Sequence, residues 1–154
     1  MARQFVTLLS ATRHRHAFDL FAWVVMPEHV HVLIRPAFGQ TWATIASSIK
    51  NPVAKAGLAH LRASNPALLA QATDAAGRER FWQPGGGFDR NVRGEPEFAK
   101  AVRYIHRNPV ERGLAEKPEA WPFSSIRWWM GTHTGEVACD PPPVKGWEAW
   151  KGYK

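Results

Sequence analysis

The sequence predicts an α/β protein of the α+β kind, an antiparallel hairpin with helices packed on it. Three observations carry that prediction. Val24-Val25-Met26-Pro27-Glu28-His29-Val30-His31-Val32-Leu33-Ile34 holds two apolar, β-branched runs around a Pro-Glu turn, which is the pattern of strand-turn-strand. Apolar residues recur at helical spacing before it (Phe5, Leu8, Leu9) and after it (Trp42, Ile45, Ala46, Ile49, then Phe98, Ala101, Val102, Ile105). With 154 residues, 45% of them hydrophobic and 21% charged, the chain suits one globular domain with a real core.

Residues from about Arg3 to His16 read as a helix ending in Arg13, His14 and Arg15, cations that suit the negative end of the helix dipole. Phe18 to Met26 is a strand and His29 to Ile34 its partner, followed by a loop over Arg35-Pro36-Ala37-Phe38-Gly39. Thr41 is placed to N-cap the next helix. Either Pro52 kinks that helix, or Asn51 caps a second one running to about Leu61. The Ala-rich connection from Arg62 to Gly77 has room for a short helix after Asn65-Pro66. Phe81-Trp82-Gln83 and Phe88-Asp89-Arg90-Asn91-Val92 read as short strands around the flexible Pro84-Gly85-Gly86-Gly87. Glu95-Pro96-Glu97 opens a helix that should end near Asn108-Pro109, because the residue before proline is steered from helical angles. Tyr104 lies beside the apolar stripe of that helix, in line with Lys100 and Asn108 four residues either way. A compact aromatic segment, Pro118 to Trp129, precedes a tail holding Pro141-Pro142-Pro143 and Trp147-Glu148-Ala149-Trp150.

The net charge of +7 points to an anionic partner, nucleic acid first. Eight Trp and eight Phe are mostly core, although some could stack on unpaired bases. Cys139 is the only cysteine, which excludes a disulfide framework and a cysteine-based zinc site and fits a reducing cytoplasm. No signal-peptide pattern and no run of membrane-spanning length is present, so no membrane role is expected. His29 and His31, two apart on a strand, put both imidazoles on one face while Val30 and Val32 turn to the core. That spacing alone fits a half-exposed histidine pair and two corners of a metal site equally well.

Read together, these segments resemble a known pattern. Met26-Pro27-Glu28-His29-Val30-His31-Val32-Leu33 resembles the histidine-hydrophobic-histidine motif of the IS200-like tyrosine transposases of the HUH superfamily. Tyr104-Ile105-His106-Arg107-Asn108-Pro109-Val110-Glu111-Arg112-Gly113-Leu114 resembles their nucleophile helix and its exit. Pro118-Glu119-Ala120-Trp121-Pro122-Phe123-Ser124-Ser125 is similar to the aromatic block of the branch called REP-associated tyrosine transposases, and Phe81-Trp82-Gln83 and Phe88-Asp89-Arg90 fall in that branch's order. The resemblance runs from about Phe5 to Trp129.

It implies a ferredoxin-like antiparallel sheet with helices packed on it, a catalytic domain over residues 1–130, and a Pro/Trp-rich tail over 131–154. It implies cleavage and strand transfer of single-stranded DNA at hairpin-forming repeats. Tyr104 would be the nucleophile, with His29, His31 and Asn108 as ligands of Mg²⁺ or Mn²⁺. Lys50, Lys55, Lys100, Arg103, Arg107, Arg112 and Arg127 would line a groove for the DNA backbone. A monomer is expected, as in that branch, with a dimer as the other possibility. One departure stands out: relatives begin with a strand inside the sheet, whereas the distance from Phe5 to Met26 matches their first helix. The first strand would then be missing and the hairpin left with an unpaired edge.

Rival enzyme families fare poorly on motifs. The third place of a histidine-triad hydrolase is Leu33 here, and none of the seven histidines begins the His-x-Ser/Thr pair of the two-histidine phosphoesterases. The rival of a different class is a DNA-binding protein of the same fold that no longer cuts.

Overall fold

The computed structural model describes residues 1–82, 90–132 and 137–145. Its order is α1 (Ala2–His16), β1 (Asp19–Val25), β2 (Val30–Arg35), α2 (Trp42–Ser64), α3 (Pro66–Gln71), α4 (Gly94–Glu111), a single 3-10 turn at Pro118–Ala120, and α5 (Ile126–Trp129). Among the described residues the sheet is the antiparallel pair β1-β2.

That hairpin separates two apolar clusters. On one face Leu20, Trp23 and Val25 of β1, with Val30, Val32 and Ile34 of β2, pack against Phe5, Val6 and Leu9 of α1 and Ile45, Ile49 and Val53 of α2. On the other, Phe21, Ala22, Val24 and Leu33 meet Phe98, Val102 and Ile105 of α4, with Trp129. Strict alternation would put Phe21 and Ala22 on opposite faces. A register shift between Leu20 and Ala22 puts both on the α4 side, as a β-bulge does.

The outer edge of β1 is covered by residues from beyond position 120. Val25 N–H donates to the Phe123 carbonyl (2.9 Å) and Ser125 N–H to that of Trp23 (3.0 Å). Trp121 and Trp129 donate their indole N–H groups to the carbonyls of Val25 and Phe21, both at 2.9 Å. Asp140 closes the far end: its carboxylate accepts from Leu20 N–H (2.7 Å) and pairs with Arg13 at 2.5 Å. Val137 and Cys139 join the α1-α2 cluster, so this part of the chain is packed into the body. Among the described residues, no strand pairs with the outer edge of β2.

Two helices run past prolines that were expected to end or divide them. α2 continues through Pro52, forgoing the one hydrogen bond that Pro52 cannot donate to Ser48. α4 passes Pro109 and stops at Glu111, so the expected end near Asn108-Pro109 is two residues short. Its terminus is set instead by Gly113 at φ 66°, where Gly113 N–H reaches the Val110 carbonyl and Leu114 N–H that of Pro109. This paired closure leaves few C-terminal carbonyls open. Phe81 and Trp82 lie in a bend, not in the expected strand. The Phe81 ring rests on Gly57, where a Cβ would overlap it, and Trp82 donates its indole N–H to the Lys50 carbonyl at 2.9 Å. Gln83 to Asp89 and Trp147 to Trp150 fall outside the described residues, and Arg90 to Val92 have no regular structure.

Candidate functional site

β2 and α4 meet along the flank that carries the two histidines and the tyrosine. Val30, Val32 and Ile34 must face the α1-α2 core, so the intervening His31 emerges on the α4 side. His29 sits in the turn before β2, fixed by its carbonyl accepting Met26 N–H at 2.8 Å. The rings of His29 and His31 meet edge to face with centroids 4.8 Å apart. His31 meets the ring of Tyr104 in the same way at 5.2 Å. Tyr104 is half exposed (50%), because it stands one step off the apolar stripe of α4. Asn108 follows one turn on and is buried.

Two polar atoms here lack partners. His31 Nε2 and Asn108 Oδ1 are buried with no hydrogen bond, an arrangement that costs roughly 1–3 kcal/mol per group in a closed core. Burial first, and the neighbouring His29 second, lower the His31 pKa to about 4. The imidazole is therefore neutral near pH 7, with a lone pair available. Glu28, which sequence reasoning left as a turn residue, stands between the hairpin and the end of α4. Its carboxylate is 3.8 Å from His29 Nδ1 and 3.5 Å from the Arg112 guanidinium. Its signal was its place directly before His29, where an acid can orient a ligand ring.

No group of three or more His, Cys, Asp or Glu side chains is gathered among the described residues. An ion here would rest on two imidazoles and an amide oxygen. The unpartnered His31 Nε2 and Asn108 Oδ1 fit that role: both are lone-pair donors, and imidazole with oxygen suits Mn²⁺ and is usable by Mg²⁺.

The seven expected backbone-binding cations do not share one side of the sheet. Lys100, Arg103 and Arg107 project from α4, while Lys50 and Lys55 belong to α2 on the opposite face. Lys100 and Arg103 are exposed and make no ion pair among the described residues, whereas Arg107 pairs with Glu111 at 3.6 Å. Arg127 is occupied inside the fold, donating to the carbonyls of Glu119 (3.0 Å) and Pro122 (3.4 Å).

Sequence reasoning gave no role to His106. It is fully buried on α4, with Nε2 2.8 Å from Ser125 Oγ. Ser125 Oγ also bonds the Trp23 backbone, accepting from its N–H at 2.9 Å. The available signal was a polar residue four places after Val102 on an apolar stripe.

No protein-family profile matches the chain. It is 28% identical over 110 residues, 71% of its length, to the REP-associated tyrosine transposase of Escherichia coli. The chain is a homologue of the REP-associated tyrosine transposases. A putative member from Haemophilus influenzae is 24% identical over 124 residues, 80% of this chain and 67% of that one. The match covers 54% of the Escherichia coli protein, so the chain spans about half the length of that relative. A solved REP-associated tyrosine transposase, bound to a REP hairpin, superposes with a TM-score of 0.63 over 93% of this chain and 76% of that one, at 22% identity. The homologue thus has the mixed α/β fold of that structure, with a small antiparallel sheet. No described helix is long and apolar enough to cross a membrane.

Proposed function

We propose that this protein cuts and rejoins single-stranded DNA at hairpin-forming repeats, with Tyr104 as nucleophile. The observation that carries the reading is the juxtaposition of Tyr104 with His31, whose Nε2 is buried and unpartnered, as is the Oδ1 of Asn108 one helical turn after Tyr104. His29, His31 and Asn108 would hold Mg²⁺ or Mn²⁺. When bound, such an ion neutralises a non-bridging phosphate oxygen and fixes the phosphate's orientation.

The chain's own groups do the rest. α4 holds the phenol at the open side of the cluster, where a strand can reach it. His31 remains neutral, so it adds no cation that would repel the ion. Tyr104 Oη gives its proton to solvent and forms a bond to phosphorus, the bond from phosphorus to the 3′-oxygen breaks, and that oxygen takes a proton from solvent to leave as a 3′-hydroxyl. The product is a 5′-phosphotyrosine. It keeps the phosphoester energy, so attack by a 3′-hydroxyl rejoins strands without ATP. Lys100 and Arg103, exposed beside Tyr104 on α4, would contact the flanking phosphates.

This reading includes the ferredoxin-like form of the sheet, a catalytic unit over residues 1–130 with 131–154 as its tail, and a monomer acting in the cytoplasm. The relative solved with a REP hairpin supports DNA hairpins as the substrate class. The test is incubation with Mn²⁺ and single-stranded oligonucleotides that carry the repeats flanking the gene. An SDS-resistant protein–DNA adduct is expected from wild type and not from Tyr104→Phe. An adduct that survives in Tyr104→Phe removes Tyr104 as nucleophile, and hairpin binding without any adduct favours the non-cleaving alternative.

A further inference from the structure

Charge is distributed unevenly between the two helical layers. The chain has thirteen Asp and Glu residues, yet α1 and α2, of 15 and 23 residues, contain none. They carry Arg3, Arg13, Arg15, Lys50, Lys55 and Arg62 instead. By contrast α4, of 18 residues, sets Glu95, Glu97 and Glu111 against Lys100, Arg103 and Arg107. Elsewhere in the fold Asp140 pairs with Arg13 and Glu79 with Arg62, and Lys50 lies 5.7 Å from the Trp82 ring centroid. Arg3, Arg15 and Lys55 remain exposed, with no ion pair among the described residues. Surface helices ordinarily mix signs, because each i,i+4 pair adds a few tenths of a kcal/mol. A layer with cations alone forgoes that gain and repels itself, which an external polyanion would offset.

The same layer carries the matching donors. An open hollow between the end of α1 and the first turns of α2 is lined by Arg15, Thr44, Ser47, Ser48 and Asn51. His16 fixes the two helix ends together, its ring nitrogens 3.1 Å from Gln40 Oε1 and 3.0 Å from Ser48 Oγ. Thr44, Ser48, Asn51 and Lys55 follow at helical spacing and extend the hollow into a ridge. Guanidinium, hydroxyl and amide groups are the usual contacts of phosphodiester oxygens. Of the aromatic residues of these helices, Phe5 is buried and Trp42 is partly buried against the core.

We propose that the outer face of the α1-α2 layer binds the phosphate backbone of double-stranded DNA, across the sheet from Tyr104. Naming the polyanion as DNA rests on the function proposed above, but the surface does not depend on Tyr104. Fluorescence anisotropy with a blunt, fully paired duplex tests it without any cleavage. Arg15→Ala/Lys55→Ala should weaken duplex binding about tenfold at moderate salt and lower the slope of log affinity against log salt by about two. Tyr104→Phe should bind the duplex as wild type does. Asn51→Asp, which adds a repelling charge to the hollow and removes none, should weaken binding in the same direction. Unchanged affinity and slope in both surface variants overturns the proposal. So does a preference of the wild-type protein for phosphatidylglycerol vesicles over the duplex. Loss of duplex binding with the covalent adduct intact, or the reverse, shows which of the two readings has failed.

Discussion

Two histidines, the half-buried His31 and the buried His106, lie on the same side of the sheet and do opposite things. Both are held neutral by burial, His31 with a pKa of about 4 and His106 of about 3. His106 is knitted into the fold through Ser125, whose hydroxyl also accepts the Trp23 N–H and whose backbone N–H donates to the Trp23 carbonyl. His31 Nε2, also buried, meets no partner, and neither does Asn108 Oδ1. The comparison separates stability from function. His106 is tied to the fold through its Nε2, whereas the open His31 Nε2 belongs to a ring that meets the exposed Tyr104.

The largest expected effect falls on the satisfied region. His106→Ala leaves a cavity and strips a partner from Ser125, so it should cost about 3 kcal/mol in urea unfolding. A loss of a few tenths would mean that the His106–Ser125 pair is not structural, and the contrast with His31 would collapse.

Cys139 sharpens the same region on the alkaline side. Burial pushes its thiol up to about 12 from an ordinary 9, with Ser125 hydrogen-bonded to it and partly opposing the shift. Between those two values the unfolded chain releases a proton that the folded chain keeps. Stability should therefore be fully present below about pH 9 and fall as pH rises above it. Unfolding followed from pH 8 to 10.5 should show a decline that Cys139→Ala lacks. An equal decline in both would assign the alkaline loss to other groups.

The smallest effect on stability belongs to His31. Truncating it removes packing but also an unsatisfied nitrogen, so His31→Ala should unfold within about 1 kcal/mol of wild type. A loss as large as that of His106→Ala would make His31 a structural residue.

The elements nearest the candidate site were the most legible in the sequence. Alternation in Val30–Ile34 and the 3.6-residue stripe of Phe98, Val102 and Ile105 placed β2 and α4, and with them His31 and Tyr104. Proline was the misleading signal. The local preference before Pro109 lost to a better closure at Gly113, and Pro52 lies on the exposed side of α2, where one absent hydrogen bond is tolerable. Long-range partners were hidden for a different reason. Nothing local marks Ser125 as the partner of His106 and Trp23, or Asp140 as the end-stop of β1, since each contact joins residues far apart in the chain. Glu28 stands next to His29 in the chain, but its contact with Arg112 is another that joins distant residues.

Mn²⁺ binding tests the central claim most directly, because it does not require DNA. Electron paramagnetic resonance titration should show one bound ion on wild type and on Tyr104→Phe. Affinity should be at least about tenfold weaker in His31→Ala. Wild-type affinity in His31→Ala, with the fold intact, would contradict the claim that the unpartnered nitrogen beside Tyr104 is a metal ligand.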